Sequence, residues 1–95
     1  MYGRHPVKDY AAALGEDGQL IDVREPSEVA EGTLPGAVNI PLGELPGRLS
    51  EIEQGRRVVL LCRSGGRSGQ AAEFLVSSGY PDVVNLVGGM LGMQE

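Results

Sequence analysis

Short apolar runs alternate with amphipathic segments along most of the 95-residue chain. Largely apolar runs, which are typical of buried parallel strands, occur at 19–23, 37–40, 57–61 and 83–87. Helical spacing predicts helices before and between them, at 7–14, 25–31, 42–52 and 68–78. Pro46 and Gly47 divide the helical pattern at 42–52 into two pieces. This order favours an α/β domain with a small, mainly parallel sheet and helices on both faces.

Composition indicates one globular domain over residues 1–95. Hydrophobic residues make up 41% of the chain and charged residues 22%, a balance typical of folded proteins. Residues 1–6 carry no periodic pattern, and we expect them to be disordered. The net charge of −5 disfavours nucleic acid and anionic membranes as partners. The sequence shows neither a bilayer-spanning stretch nor a secretory signal, so we expect a cytoplasmic location.

The chemistry is predicted by the single cysteine, Cys62. It follows an apolar strand and precedes a loop of small and cationic residues, Arg63-Ser64-Gly65-Gly66-Arg67, with Ser68 opening a helix. Unpaired backbone N–H groups and the positive end of a helix dipole converge at such a junction. With two arginines beside it, this environment stabilises a thiolate, the form of cysteine that attacks electrophiles. We therefore expect a reactive thiol that is open to solvent at the mouth of the domain.

Topology predicts where this site lies. In parallel sheets, sites form beyond the carboxyl ends of the strands. Three segments each follow an apolar run: Asp22 with Arg24, Cys62, and the Gly88-Gly89 turn. We expect these three segments to meet at one edge of the sheet.

Other interpretations of Cys62 remain open. A lone cysteine after an apolar strand is commonly a small core residue. A Gly-rich turn between strand and helix also holds phosphate, although Arg67 and Ser68 replace the Lys-Ser/Thr pair of a nucleotide P-loop. One cysteine and one histidine exclude an internal disulfide and a structural zinc site, and His5 is expected to be solvated.

Four segments together resemble the single-domain rhodanese family, the thiosulfate sulfurtransferase-like domains, from about residue 7 onward. They are LIDVREPSEVAEG at 20–32, LPGAVNIP at 34–41, VVLLCRSGGRS at 58–68 and NLVGGM at 85–90. Their order and spacing within one small domain carry the resemblance. It implies a rhodanese-like α/β fold.

The resemblance also implies a ping-pong sulfur transfer without a cofactor or metal. The Cys62 thiolate would attack the outer sulfur of an anionic donor such as thiosulfate, release sulfite and become a persulfide. Cyanide, a thiol or an acceptor protein would then remove the sulfur. Arg67 foremost would bind the sulfonate of the donor, and backbone N–H groups of the loop would surround the persulfide sulfur. The residues that would bind the donor and the persulfide are those that follow Cys62, namely Arg63, Ser64, Gly65, Gly66, Arg67 and Ser68.

Asp22 and Arg24 match the D-x-R segment of the family, and we interpret them as structural supports. Arg24 is expected to pair with Glu28 one helical turn away, and Asp22 to accept backbone N–H groups. Two departures from the family pattern stand out. Thr33 replaces the usual His or a similar residue, and Met93 occupies the place of a Trp near a C-terminal end that is shorter than usual. Methionine is expected to fill the space of the missing ring.

Two rival functions fit the same residues. Phosphatases and arsenate reductases of this fold need a C-x5-R loop, whereas Cys62 and Arg67 are spaced C-x4-R. The smaller ring of amides suits a single sulfur better than a phosphate. The second rival is a persulfide carrier or protein-binding module, which the loop sequence does not separate from a catalyst.

Overall fold

A parallel five-stranded sheet forms the centre of the computed structural model, which describes residues 1–94. Its strands are β1 (Gly3–Pro6), β2 (Gln19–Asp22), β3 (Val38–Asn39), β4 (Val58–Leu61) and β5 (Val83–Val87). Their order across the sheet is β1-β5-β4-β2-β3, and each neighbouring pair is parallel. The expected α/β architecture is confirmed.

Short helices and 3₁₀ turns connect the strands. The helices are α1 (Tyr10–Leu14), α2 (Pro26–Val29), α3 (Gly66–Ser77) and α4 (Gly89–Gly92). The segment expected to be helical at 42–52 forms the 3₁₀ turns Leu42–Gly47 and Leu49–Glu51. Pro46 lies inside the first of them, and it has no N–H with which to continue an α-helix. Within residues 1–94, the helices are all too short or too polar to cross a membrane.

Two apolar layers cover the two faces of the sheet. All four residues of β4 are fully buried, and alternate residues of a strand face opposite sides. Leu60 shares one buried cluster with Leu75 of α3, whereas Leu61 shares the other with Ala13 of α1. Helices therefore pack on both faces of the sheet, as the sequence predicts.

Strand β1 differs from the disorder expected at residues 1–6. Gly3–Pro6 pairs in parallel with residues 84–87 of β5. Because β1 is an edge strand, the sheet holds it through backbone hydrogen bonds on one side only. Its side chains are mostly exposed, so no hydrophobic pattern marks it in the sequence.

The carboxyl ends of the central strands meet at one edge of the sheet. Asp22 of β2 lies opposite Leu61 of β4, and Leu60 lies opposite Asn85 of β5. Cys62 follows directly after Leu61. This edge is where parallel α/β sheets place their sites.

The chain beyond β5 returns over the same edge. The Met90 N–H donates to the carbonyl oxygen of Cys62 at 2.9 Å. A Cβ atom on Gly89 would lie 2.4 Å from that oxygen, so this close approach requires glycine. The Gly88-Gly89 turn is thereby brought to the cysteine, as expected.

Candidate active site

Cys62 is the first residue after β4, and the loop that follows bends back over its side chain. Gly65 has a φ of 106°, a left-handed conformation that glycine adopts at low cost. The Gly65 N–H donates to Cys62 Sγ over 3.0 Å. Helix α3 begins at Gly66, two residues earlier than the sequence predicts. The sulfur therefore lies against the first turn of α3.

Hydrogen bonds to the sulfur favour its ionised form. The Ser68 hydroxyl lies 3.3 Å from Cys62 Sγ. Burial by itself raises the pKa of the Cys62 thiol. Hydrogen bonds to the sulfur outweigh this effect, so the pKa is lowered. The donors are the Ser68 hydroxyl and the backbone N–H groups of Ser68, Gly65 and Ser64. A thiol with a lowered pKa supplies more thiolate, the nucleophilic form, at neutral pH.

The same thiol is closed off from solvent. Only 1% of the Cys62 surface is exposed, so the expectation of an open thiol is wrong for this conformation. The physical reason is that the loop and the chain after β5 both pack on Cys62. The side chain lies within the buried cluster that also contains Leu60 and Leu75.

The Ser68 hydroxyl has more acceptors than protons. Besides Cys62 Sγ, it lies within hydrogen-bond distance of the Asn85 side-chain oxygen and 3.2 Å from the Gly65 carbonyl oxygen. A serine hydroxyl donates only one proton at a time. Cys62 and Asn85 therefore compete for the same donor.

Asn85 is a site residue that the sequence analysis missed. It is 6% exposed in the middle of β5, and its side-chain N–H donates to the Gly65 carbonyl oxygen at 3.2 Å. It thus contacts both Ser68 and the loop that encloses the sulfur. The signal was present in the sequence, because Asn85 is the one polar residue in an otherwise apolar run at 83–87. A buried amide needs partners, and these partners lie in the cysteine loop.

Arg67 is paired with an acidic residue of α2. Its guanidinium donates two hydrogen bonds to the Glu28 carboxylate, at 2.6 and 2.8 Å. These bonds from Arg67 are the main reason why the pKa of Glu28 is lowered to about 2. Arg67 therefore links α3 to α2, and its expected contact with the donor's sulfonate stays a prediction.

Asp22 and Arg24 pair with each other. Their ion pair spans 2.8 Å, with Asp22 fully buried, and the Arg24 backbone N–H also donates to Asp22 at 3.1 Å. The Thr33 hydroxyl donates at 2.7 Å to Asp22 Oδ2, the same carboxylate oxygen that forms the ion pair with Arg24. The expected Arg24–Glu28 ion pair is wrong, because Arg24 reaches only the backbone carbonyl of Glu28, at 3.4 Å. Through the Glu28 and Gly32 carbonyl oxygens, Arg24 also binds the segment that contains α2.

Arg63 is exposed and, within residues 1–94, lies at ion-pair distance from no carboxylate, a property that only Arg4 shares among the arginines of this range. It lines a cavity of about 220 Å³ whose wall also contains Arg24, Glu28 and Glu31. Ser64 and Gly66 are also exposed, but they line a different cavity together with Gly65. The Arg63 guanidinium is therefore open to solvent.

The C-terminal segment matches the expectation for Met93. Its side chain packs, partly buried, against the apolar cluster that contains Leu61 and Leu86.

His5 is half-buried in β1. Within the described part of the chain, no group of three or more His, Cys, Asp or Glu side chains is arranged to hold a metal ion.

Comparisons with known proteins agree with this geometry. The family model described as "Rhodanese-like domain" matches residues 7–95. A sulfurtransferase of Allochromatium vinosum is 47% identical over 76 residues, which cover 80% of this chain and 71% of that protein. The thiosulfate sulfurtransferase PspE of Escherichia coli is 39% identical, covering 72% of this chain and 67% of PspE. The crystal structure of a rhodanese-like domain protein from Staphylococcus aureus matches with a TM-score of 0.87 at 29% identity, covering 95% of this chain and 89% of that one.

Proposed function

The chain belongs to the rhodanese-like domain family, and on that premise we propose that it is a sulfurtransferase that carries sulfur on Cys62. One observation supports this most directly. Cys62 Sγ accepts hydrogen bonds from the Gly65 N–H and the Ser68 hydroxyl, which are donors suited to a sulfur anion. The names of two relatives, a sulfurtransferase and a thiosulfate sulfurtransferase, describe the same class of reaction.

The reaction consists of two displacements at sulfur. The Cys62 thiolate attacks the outer sulfur of thiosulfate, the S–S bond of the donor breaks, and sulfite leaves with the bonding electron pair. Cys62 is left as a persulfide anion. A thiolate or cyanide then attacks the outer sulfur, the persulfide S–S bond breaks, and the Cys62 thiolate is regenerated.

The loop supplies binding in this scheme. Arg63 is the residue we assign to the donor's anionic oxygens, because it is exposed and has no acidic partner within residues 1–94. Arg67 holds the loop to α2 through Glu28 and adds a positive charge near the sulfur. Backbone N–H groups of Ser64, Gly65 and Ser68 stabilise the sulfur anion. The proposal therefore places the sulfonate mainly on Arg63, whereas the sequence favours Arg67 ahead of Arg63.

Access to the sulfur requires a movement of the loop. Cys62 is almost completely buried, whereas the neighbouring Arg63 and Ser64 are exposed. We expect an opening at these exposed residues to uncover Sγ. We therefore expect the transfer of sulfur from the donor to Cys62 to be slower than the reaction of a free thiolate with the same donor.

Mass spectrometry after incubation with thiosulfate tests the proposal. We expect the intact protein to gain the mass of one sulfur atom, and Cys62→Ala to gain nothing. Cyanide should discharge the adduct and yield thiocyanate. An unmodified wild-type protein would contradict the proposal, and loading followed by discharge only to a protein acceptor would favour a persulfide carrier. Turnover of an aryl phosphate that Cys62→Ser abolishes, without thiocyanate formation, would indicate the phosphatase alternative.

A further inference from the structure

A larger cavity borders the opposite side of the cysteine loop. Its volume is about 440 Å³, and its wall is formed by residues from the N-terminal segment, the loop, α3 and β5. We refer to it as the β1 cavity, and the residues that matter here are Tyr2, Arg4, Gly65, Gly69, Glu73 and Asn85. Gly65 belongs both to this wall and to the sulfur site, because its N–H donates to Cys62 Sγ. The β1 cavity therefore borders the loop residue that binds the sulfur.

Arg4 places a positive charge at the far end of the β1 cavity. Its guanidinium lies 4.9 Å from the centre of the Tyr2 ring, in a cation–π contact that holds it in place. No carboxylate within residues 1–94 lies at ion-pair distance from it. The planar guanidinium matches a carboxylate, which it binds through two parallel hydrogen bonds. An anionic ligand group fits this end of the cavity.

The distance between this cation and the sulfur limits the kind of ligand. Arg4 of β1 lies opposite Asn85 of β5, and Asn85 lies opposite Leu60 of β4, two residues before Cys62. Two spacings of about 4.8 Å between neighbouring strands therefore separate the Arg4 backbone from the strand that ends before Cys62. The Arg4 guanidinium lies over the ring of Tyr2, toward the start of β1, whereas Cys62 follows the carboxyl end of β4. A ligand that extends from Arg4 across β5 to the loop suits a thiol on a flexible chain better than a compact anion such as thiosulfate.

We propose that the β1 cavity binds the sulfur acceptor, a small thiol whose chain ends in a carboxylate held by Arg4. This inference rests on the proposed function. The acceptor's thiolate attacks the outer sulfur of the Cys62 persulfide, and the persulfide S–S bond breaks. Cys62 leaves as a thiolate with the bonding electrons, and the new S–S bond makes the acceptor a persulfide. The donor, on this account, uses the Arg63 side of the loop.

Two thiols of equal length test the inference, with 6-mercaptohexanoate as the anionic acceptor and 6-mercaptohexanol as the neutral one. We expect Arg4→Gln to raise the KM for 6-mercaptohexanoate about fivefold and to leave the KM for 6-mercaptohexanol unchanged. Glu73→Gln should lower the KM for 6-mercaptohexanoate about twofold, because it removes a negative charge from the same wall. Both side chains are exposed, so folding is not at risk. Arg48→Gln removes one positive charge away from the cavity and serves as the matched control.

Loading with thiosulfate separates the two possible failures. If the wild type and Arg4→Gln both gain one sulfur from thiosulfate, but Arg4→Gln changes the KM of both thiols equally or of neither, the acceptor site is wrong and the sulfurtransferase function stands. If wild-type protein gains no sulfur, the proposed function and this inference both fail. An effect of Arg48→Gln as large as that of Arg4→Gln would also overturn the inference, because the preference would then follow net charge.

Discussion

The cysteine loop is held from two sides by different kinds of interaction. On the side of β2 and α2, charges are paired: Asp22 with Arg24 at 2.8 Å, and Glu28 with Arg67 at 2.6 Å. On the side of β5, the contacts are neutral hydrogen bonds. We call these the ionic support (Asp22, Arg24, Glu28, Arg67) and the neutral support (Ser68, Asn85 and the Gly65 carbonyl).

The difference separates stability from reactivity. In the ionic support each charge has a fixed partner, so these residues hold the loop in place. In the neutral support the single Ser68 proton is shared between Asn85 and the sulfur. Its position changes with the charge on Cys62, because a thiolate is a stronger acceptor than an amide oxygen. We therefore expect the ionic support to act mainly on the position of the loop, and the neutral support to act mainly on how readily the sulfur ionises.

The largest effect is expected from Asp22→Ala in the ionic support. It leaves the Arg24 guanidinium buried without its charged partner and should lower the free energy of unfolding by about 3–5 kcal/mol. Urea denaturation measures the loss. Arg48→Ala, which breaks only exposed ion pairs, is the control and should leave the unfolding midpoint nearly unchanged. Equal behaviour of the two variants would contradict the structural role of Asp22.

Substitution of the two loop arginines should affect different properties, the KM for thiosulfate in the case of Arg63 and stability in the case of Arg67. Arg63→Gln is expected to raise the KM for thiosulfate about tenfold and to leave stability unchanged, because it removes an exposed donor of charge-assisted hydrogen bonds. Arg67→Gln should instead lower stability, since it leaves Glu28 unpaired. Steady-state thiocyanate formation and urea denaturation measure both properties. A larger rise in KM for Arg67→Gln than for Arg63→Gln would restore the assignment made from the sequence.

Opposite changes are expected within the neutral support. Ser68→Ala removes a donor to the sulfur, so the pKa of the Cys62 thiol should rise and alkylation by iodoacetamide at neutral pH should slow about fivefold. Asn85→Ala removes the competing acceptor, so Ser68 donates to the sulfur alone and alkylation should become faster. Changes in the same direction for both variants would show that Ser68 and Asn85 act only by holding the loop.

The smallest effect is expected on the pH dependence of the free energy of unfolding, to which Glu28 contributes. The pKa of Glu28 is lowered to about 2 from an ordinary 4.5, so its pairing stabilises the folded state above 4.5 and is lost as the pH falls through about 2. Glu28→Gln should therefore cost about 1 kcal/mol at neutral pH. The difference from wild type should shrink toward zero as the pH falls through that window. Denaturation curves over this range measure it, and a difference independent of pH would mean that the Glu28 charge is not involved.

The sequence predicts those parts of the fold that depend on buried apolar runs. Strand β4 and helix α3 carry such patterns, so both elements and the loop between them were predicted. Strand β1 was not, because its pairing with β5 uses backbone groups and its side chains are mostly exposed. Local patterns detect burial, and an edge strand with exposed side chains leaves no such pattern.

The site was predicted less completely, because its key contacts join residues far apart in the chain. Glu28 and Arg67 are 39 residues apart, and no local spacing indicates that they meet. The sequence favoured Arg24 as the partner of Glu28 because those two residues are one helical turn apart. The apolar strand before Cys62 left a buried cysteine open as an alternative, but the packing of the chain after β5 on it was not predictable from its neighbours.

The ionisation of the Cys62 thiol tests the central claim most directly. A titration of the ultraviolet absorbance of the thiolate, with the Cys62→Ala titration subtracted, measures its pKa in the folded protein. We predict a midpoint below the value of about 8.5 for free cysteine, because the loop N–H groups and the Ser68 hydroxyl favour the anion. A midpoint at or above that value would show that burial outweighs these hydrogen bonds, and would contradict the account.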